Sequence, residues 1–324
     1  MQQQLADLLR KIVTGEQVSR DLYKVLIDEN ADVFDILYGA NLLRQRYSGD
    51  RIDFCSIINA RSGACSEDCA FCVQSSHHGA EVDVYPLVSA EKTKSVYADA
   101  EKSGASRFGI VTSGPAPTDE DVDKIASCVR SAVAEGGIPV CVSLGKLSRE
   151  QLRKLAEAGV RRIHCNLETS ERFFPEVCTT HTWREKYDTV KLAREEGFKV
   201  CSGGILGMGE NREDRLELAL TLKELGVDSV PLNFLVPREG TPLAGREMLR
   251  PFEALRIIAL FRYVLPDVDI RVCGGREATL RSLQSWMFYA GANGALLGNY
   301  LTTSGNPPEE DLQMTRDLGL KPEP

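Results

Sequence analysis

The chain has 324 residues, is 43% hydrophobic and 27% charged, and carries a net charge of −8; this is a folded, globular composition with room for a full core and not a disordered one. The acidic balance argues against nucleic-acid binding, and the lack of an ~18-residue apolar run or of a secretory leader over residues 1–10 argues against membrane insertion and secretion. Ten cysteines in a chain expected to be cytoplasmic point to metal or redox chemistry and away from a disulfide scaffold.

Residues 31–47 carry Val33, Ile36, Leu37, Ala40, Leu43 and Tyr47 at helical spacing, and the first 50 residues read as a helical extension. Short apolar runs then alternate with helical segments. Strands are expected at 53–59, 107–112, 138–144, 161–167, 199–205, 229–236, 268–273 and 295–300. Helices are expected at 90–103, 120–135, 148–158, 183–196, 212–225, 251–264 and 277–290, with a last one at 307–318. Gly159, Gly197, Gly226 and Gly291 stand where helices should stop. Eight such repeats predict a TIM-type (β/α)8 barrel over residues 51–318, with an open doubly wound sheet as the alternative. Residues 319–324 are expected to be a tail, at the end of a polar segment from Pro307 that needs no fixed order.

The first strand runs directly into Arg61-Ser-Gly-Ala-Cys65-Ser-Glu-Asp-Cys69-Ala-Phe-Cys72. A C-x3-C-x2-C triplet of soft thiolate ligands suits an iron–sulfur cluster or zinc. Zinc needs a fourth ligand, for which His77 or His78 is at hand, yet zinc motifs more often come as two close pairs. Three thiolates on a four-iron cube leave one iron open for an external ligand. The loop after a barrel strand lies at the C-terminal mouth, where barrel active sites are built. The glycines of Gly203-Gly-Ile-Leu-Gly-Met-Gly-Glu210 lack dinucleotide-fingerprint spacing; they serve close ligand approach or a tight turn.

This triplet resembles that of the radical S-adenosylmethionine (SAM) enzymes, and the chain as a whole resembles the biotin synthase family. The narrower resemblance is carried by residues 63–76, Asn166-Leu-Glu-Thr-Ser170, 199–205, Val230-Pro-Leu-Asn233, Gly240-Thr-Pro-Leu243, Gly275-Arg-Glu277, Ala290-Gly-Ala-Asn293 and Leu301-Thr-Thr303. It implies that Cys65, Cys69 and Cys72 hold a 4Fe–4S cluster whose fourth iron binds SAM, and that SAM is cleaved to methionine and a 5′-deoxyadenosyl radical. Phe71 falls at the family's aromatic position near the adenine, where a plain core aromatic is the other reading. Glu168 replaces the family's usual aspartate toward SAM, and Lys186 replaces an arginine; a solvated helix charge is the alternative for Lys186. Asn166 and Asn233 match the contacts to the ureido group of dethiobiotin. Thr302 and Thr303 match contacts to its carboxylate, or act as turn residues. His164 and Cys165 adjoin Asn166 and are expected to line the pocket.

The resemblance further implies a second, sulfur-donating cluster, usually 2Fe–2S on three cysteines and an arginine. Two of those cysteines match Cys141 and Cys201, and the arginine matches Arg271. The third falls in Arg107-Phe-Gly109, where this chain has glycine. Cys273 is new, two residues after Arg271, so the two should share a strand face ~6–7 Å apart. A four-iron auxiliary cluster on Cys141, Cys201 and Cys273 is favoured over a surviving 2Fe–2S cluster with Arg271. Flavodoxin or ferredoxin as electron donor and a homodimer follow from the same resemblance. Related hydrogenase maturases and a zinc scaffold are the competing readings, and Cys55, Cys128 and Cys178 receive no role.

Overall fold

The computed structural model describes residues 3–134 and 136–323; residues 1 and 2 of the extension, the expected helix end at 135 and the tail's last residue lie outside them. Three helices come first: α1 (Gln3–Thr14), α2 (Arg20–Tyr23) and α3 (Val33–Ser48). Asp32 caps α3 by accepting from the backbone N–H groups of Phe34 and Asp35. The apolar stripe read from the sequence is the buried face of α3, with Ile36, Leu37, Ala40 and Leu43 fully enclosed.

Nine strands then build the barrel: β1 (Arg51–Arg61), β2 (Arg107–Thr112), β3 (Val140–Ser143), β4 (Arg162–His164), β5 (Lys199–Cys201), β6 (Gly204–Leu206), β7 (Ser229–Phe234), β8 (Asp269–Val272) and β9 (Gly294–Leu296). Every pairing is parallel, and β9 returns to β1 through Asp53↔Gly294 and Cys55↔Leu296. Because β5 and β6 form one stave, this is a closed (β/α)8 barrel, and the open sheet is excluded. The outer helices are α4 (Ala90–Lys102), α5 (Asp119–Val133), α6 (Arg149–Glu157), α7 (Trp183–Glu195), α8 (Arg212–Leu225), α9 (Pro251–Val264), α10 (Arg276–Leu280), α11 (Trp286–Tyr289) and α12 (Pro308–Asp317). Four of them start with a capping box, Thr118/Asp121, Ser148/Gln151, Thr182/Glu185 and Asn211/Asp214, which satisfies their first N–H groups. Gly159, Gly197, Gly226 and Gly291 all have positive φ, as helix stops require. Among the described residues, no helix is long and apolar enough to cross a membrane.

The period-2 rule sorts the strand residues. Phe54, Phe108, Val142, Ile163, Val200 and Val230 join the helices in one apolar core, while the alternate positions Asp53, Cys55, Gly109, Cys141, Cys201 and Arg271 face inward.

Three expectations are corrected. The strand expected at 199–205 is broken between Cys201 and Gly204, opposite Pro231, which has no N–H to extend the ladder. The backbones crowd together there: a Cβ on Gly203 would lie 2.0 Å from Pro231 O, and one on Gly204 would lie 2.1 Å from Glu168 O. The single helix expected at 277–290 is split into α10 and α11 because Arg281 takes a positive φ of 54°. The C-terminal segment is tied down. Asp311 of α12 and Arg276 of α10 form a fully buried ion pair at 2.8 Å, and Lys321–Pro322 add a parallel strand, β10, beside Arg51 and Ile52. Asp311→Ala leaves the buried Arg276 with only Glu277, at 3.1 Å, as a carboxylate partner and is expected to cost about 3 kcal/mol of stability. That loss would be read as a lower denaturant midpoint at an unchanged slope.

Candidate active site

One cavity of about 600 Å3 runs from the C-terminal mouth of the barrel to its floor, a size suited to small-molecule and cofactor sites. The loop after β1 forms one lip. It is folded on itself by Cys65 N–H to Gln74 O (3.0 Å), Ser76 N–H to Cys65 O (2.8 Å) and Cys72 N–H to Cys69 O (2.9 Å). The Gln74 carboxamide oxygen accepts from Gly63 N–H at 3.1 Å and from the Ser62 hydroxyl at 3.2 Å, which fixes the loop's entry. Phe71 and Cys72 face the cavity, whereas Cys65 and Cys69 stand on the loop outside its lining. Phe71 packs against a small apolar group of Val177, Met208 and Leu235, a flat hydrophobic shelf at the mouth. Burial pushes the Cys72 thiol up to about 11, so a bound metal would have to drive its deprotonation.

The sequence assigned nothing to Cys178, and the structure sets it beside the triplet. The Cys69 thiol donates to the Cys178 sulfur at 3.8 Å; with His181 Nδ1 at 3.2 Å, this brings the pKa of Cys178 down to about 4. Cys69, Cys178 and His181 lie close enough to share one metal ion. The Cys178-Thr-Thr-His181 spacing was the available signal, but contact with Cys69 is a tertiary fact. His77 and His78, the candidate fourth zinc ligands, turn their Nε2 atoms to the carbonyls of Ser66 (2.9 Å) and Cys69 (3.0 Å). With Nε2 donating to a carbonyl, only Nδ1 of each ring keeps a lone pair for a metal.

Asn166 and Glu168 both line the cavity but lie just past β4, not within it as expected. Glu168 has a left-handed backbone, φ 69°, at the point where β6 crowds it. One carboxylate oxygen is 3.8 Å from Lys186 Nζ; the other, Oε2, is buried without a hydrogen-bond partner. Lys186 is largely buried, which removes the reading of a solvated helix charge, and it stands behind Glu168, off the cavity wall. Burial opposes its charge, but Glu168 and the nearby thiols outweigh that, and its pKa is raised. Asn166 Oδ1 accepts from Gly203 N–H at 3.1 Å, and its Nδ2 has no protein partner among the described residues. Asn233 is used on both sides, donating to Gly204 O at 3.2 Å and accepting from Gly274 N–H at 2.9 Å. Thr302 and Thr303 sit exposed at the cavity's opposite lip, in a turn closed by Tyr300 N–H to Thr303 O at 2.9 Å. His164 lines the cavity, but Cys165 does not; as the next residue along, it is buried on the other side of the chain.

Deeper in, Cys141, Cys201 and Cys273 face the same space, and Arg271 and Cys273 share a face as expected. Burial pushes Cys141 up to about 12. Burial also opposes ionisation of Cys201, but His164, with Nδ1 3.4 Å from the sulfur, and the guanidinium groups of Arg271 and Arg162 prevail and bring it down to about 6. Cys55, another thiol without an assigned role, lies on this wall as well. At Gly109 a Cβ would stand 3.0 Å from Ile57 Cγ2 and 3.3 Å from Cys141 Sγ. Beneath the thiols lies an ionic floor. Asp53 accepts from Arg107 at 2.6 Å and from Arg271, and Arg271 also reaches Ser229 and, at 3.3 Å, Asp269.

Residues 60–234 match the radical SAM superfamily, and residues 231–321 match the biotin and thiamin synthesis associated domain. Barrel, cysteine loop and superfamily match together define a radical SAM protein. The chain is 50% identical to the biotin synthase of Geobacter sulfurreducens over 97% of this chain and 96% of that one. It is 47% identical to the biotin synthase of Pelotomaculum thermopropionicum over 97% and 98%. The chain belongs to the biotin synthase family. Among solved structures, a methylornithine synthase superposes with a TM-score of 0.84 at 20% identity, covering 98% of this chain and 97% of that one. The hydrogenase maturase HydG of Carboxydothermus hydrogenoformans superposes at 0.82 and 17%, covering 98% and 79%. At such identities the likeness is one of fold.

Proposed function

We propose that the protein inserts sulfur into dethiobiotin to form the thiophane ring of biotin, with SAM and two iron–sulfur clusters. The observation that carries this reading is the single cavity that has Phe71 and Glu168 near its mouth, Asn166 along its wall, and Cys141 and Cys201 deeper in. The unpartnered Glu168 Oε2 fits SAM, because a buried carboxylate oxygen calls for a hydroxyl donor and a ribose offers two. When bound, the first cluster and SAM supply the radical that takes hydrogen from unactivated carbons, a task no side-chain base can perform.

In this reading Cys65, Cys69 and Cys72 hold the first cluster. Phe71 lies under the adenine, and Lys186, 3.8 Å from one carboxylate oxygen, orients Glu168. Asn166 offers its free Nδ2 to the ureido oxygen. Asn233 stiffens the wall beside it, and Thr302 and Thr303 meet the carboxylate at the rim. Cys141, Cys201 and Cys273 hold the auxiliary cluster, of four-iron type, that yields the sulfur. Flavodoxin or ferredoxin delivers the electrons. The protein works as a cytoplasmic homodimer, a reading supported by the exposed aromatic group of Phe34, Phe252 and Tyr289 around Trp286.

The test is an anaerobic assay with dethiobiotin, SAM and reductant, reading biotin and 5′-deoxyadenosine by mass. No biotin from reconstituted enzyme would overturn the substrate. Asn166→Ala is expected to weaken dethiobiotin binding by ~1–3 kcal/mol while SAM cleavage continues. Asn233→Ala is expected to weaken it comparably, and also to loosen the link from β7 to β6 and β8. Unchanged dethiobiotin affinity in both variants would remove the asparagines from the recognition site.

A further inference from the structure

Four thiols face the barrel interior, each from a different stave: Cys55 of β1, Cys141 of β3, Cys201 of β5 and Cys273 at the end of β8. The strand register sets two of them side by side. Asp53 and Arg271 are both register partners of Gly294 in β9. A Cβ on Gly294 would lie 2.8 Å from Arg271 Cγ, so the missing side chain is what lets aspartate and arginine meet across that strand. Two residues further along β1 and β8, on the same faces, stand Cys55 and Cys273, both lining the cavity, with the Cys55 thiol turned to Ala295 O at 3.9 Å. The wall therefore has an ion-pair layer at the floor and a thiol layer directly above it.

Arg271 is committed to the lower layer. Its terminal nitrogens go to Asp53, Asp269 and Ser229, and the side chain is 2% exposed. The remaining nitrogen, Nε, is buried without a partner, but in a guanidinium it is an N–H donor with no lone pair to give a metal. Among the described residues, no three of the four sulfurs close to the spacing of a single ion. They ring one shared space instead, as a polynuclear cluster requires.

We propose that Cys55 is the fourth protein ligand of the auxiliary cluster, in place of Arg271, so that Cys55, Cys141, Cys201 and Cys273 form a four-thiolate site. This rests on the auxiliary-cluster reading above and closes the corner that a three-thiolate set leaves open. Arg271 then acts from below as counter-charge to the thiolates at 55 and 273, with His164 doing the same beside Cys201. Four thiolates in a barrel need such cations, because buried negative charge is costly unless it is paired.

The test compares wild type, Cys55→Ala and Cys55→Ser after anaerobic reconstitution, with iron and sulfide counts, Mössbauer and EPR spectra, and no turnover. Wild type should bind about eight irons. Cys55→Ala should lose one or all four auxiliary irons, and a three-iron EPR signal would mark loss of one. The first cluster's four irons should remain and report that the barrel has folded. Cys55→Ser should keep about eight irons but shift one quadrupole doublet, as expected for iron bound by oxygen. About eight irons and unchanged auxiliary spectra in Cys55→Ala would overturn the role of Cys55 and leave the cluster standing. About six or about four irons in wild type would overturn the four-iron cluster itself.

Discussion

Cys65→Ala, Cys69→Ala and Cys72→Ala should each lower reductive SAM cleavage at least about a thousandfold, which is about 4 kcal/mol of barrier. The three thiols come from one eight-residue loop whose backbone bonds tie it to its own ends, and burial, helped by the neighbouring Cys65 and Glu168, favours the protonated Cys72 thiol; in the proposed reading, a site without three ligating thiols has no means of retaining its iron. The variants should not be equal. Cys178 lies 3.8 Å from Cys69 and has a depressed pKa, so it is a ready substitute thiol at that corner alone. The greatest residual cleavage is therefore expected in Cys69→Ala, and it should vanish in the Cys69→Ala/Cys178→Ala double variant. Production of 5′-deoxyadenosine, measured by mass after anaerobic reduction, decides the point. Yields near wild type in Cys65→Ala or Cys72→Ala would sink the assignment of the triplet.

Cys273→Ser should abolish biotin formation, again by at least about a thousandfold, while SAM cleavage at the mouth continues. In the proposed reading the two sites are separable, because the residues assigned to them lie toward opposite ends of the cavity and none is shared. Spectra of the variant should retain the first cluster and lose or alter the auxiliary one. Biotin yield and auxiliary spectrum both at wild-type level would show that Cys273 is a spectator and favour a 2Fe–2S cluster on Cys141, Cys201 and Arg271.

The barrel was readable because its strands are short apolar runs and its helices carry caps and glycine stops, all of which are local signals. The break between Cys201 and Gly204 was not, since it comes from Pro231 on the neighbouring strand. The order of the C-terminus was equally hidden, as it depends on Asp311 finding Arg276. Within the site, the spacing of Cys65, Cys69 and Cys72 carried its own meaning. Cys55 and Cys178 stand alone in the chain and acquire neighbours through folding, one beside Cys273 and the other beside Cys69. Lys186 likewise reads as one more helix charge until α7 packs it behind Glu168.

Gly109 shows how much room the barrel wall leaves beside its thiols. It faces the cavity from β2 with ordinary strand backbone, and a side chain begun there meets the end of Ile57 and the Cys141 sulfur at 3.0 and 3.3 Å. A cysteine at 109 therefore needs displacements of a few tenths of an ångström and no rebuilding of the barrel. A thiol at 109 would then stand beside Cys141 in the same cavity that Cys55, Cys201 and Cys273 face, so the barrel has room for a fifth sulfur on that wall.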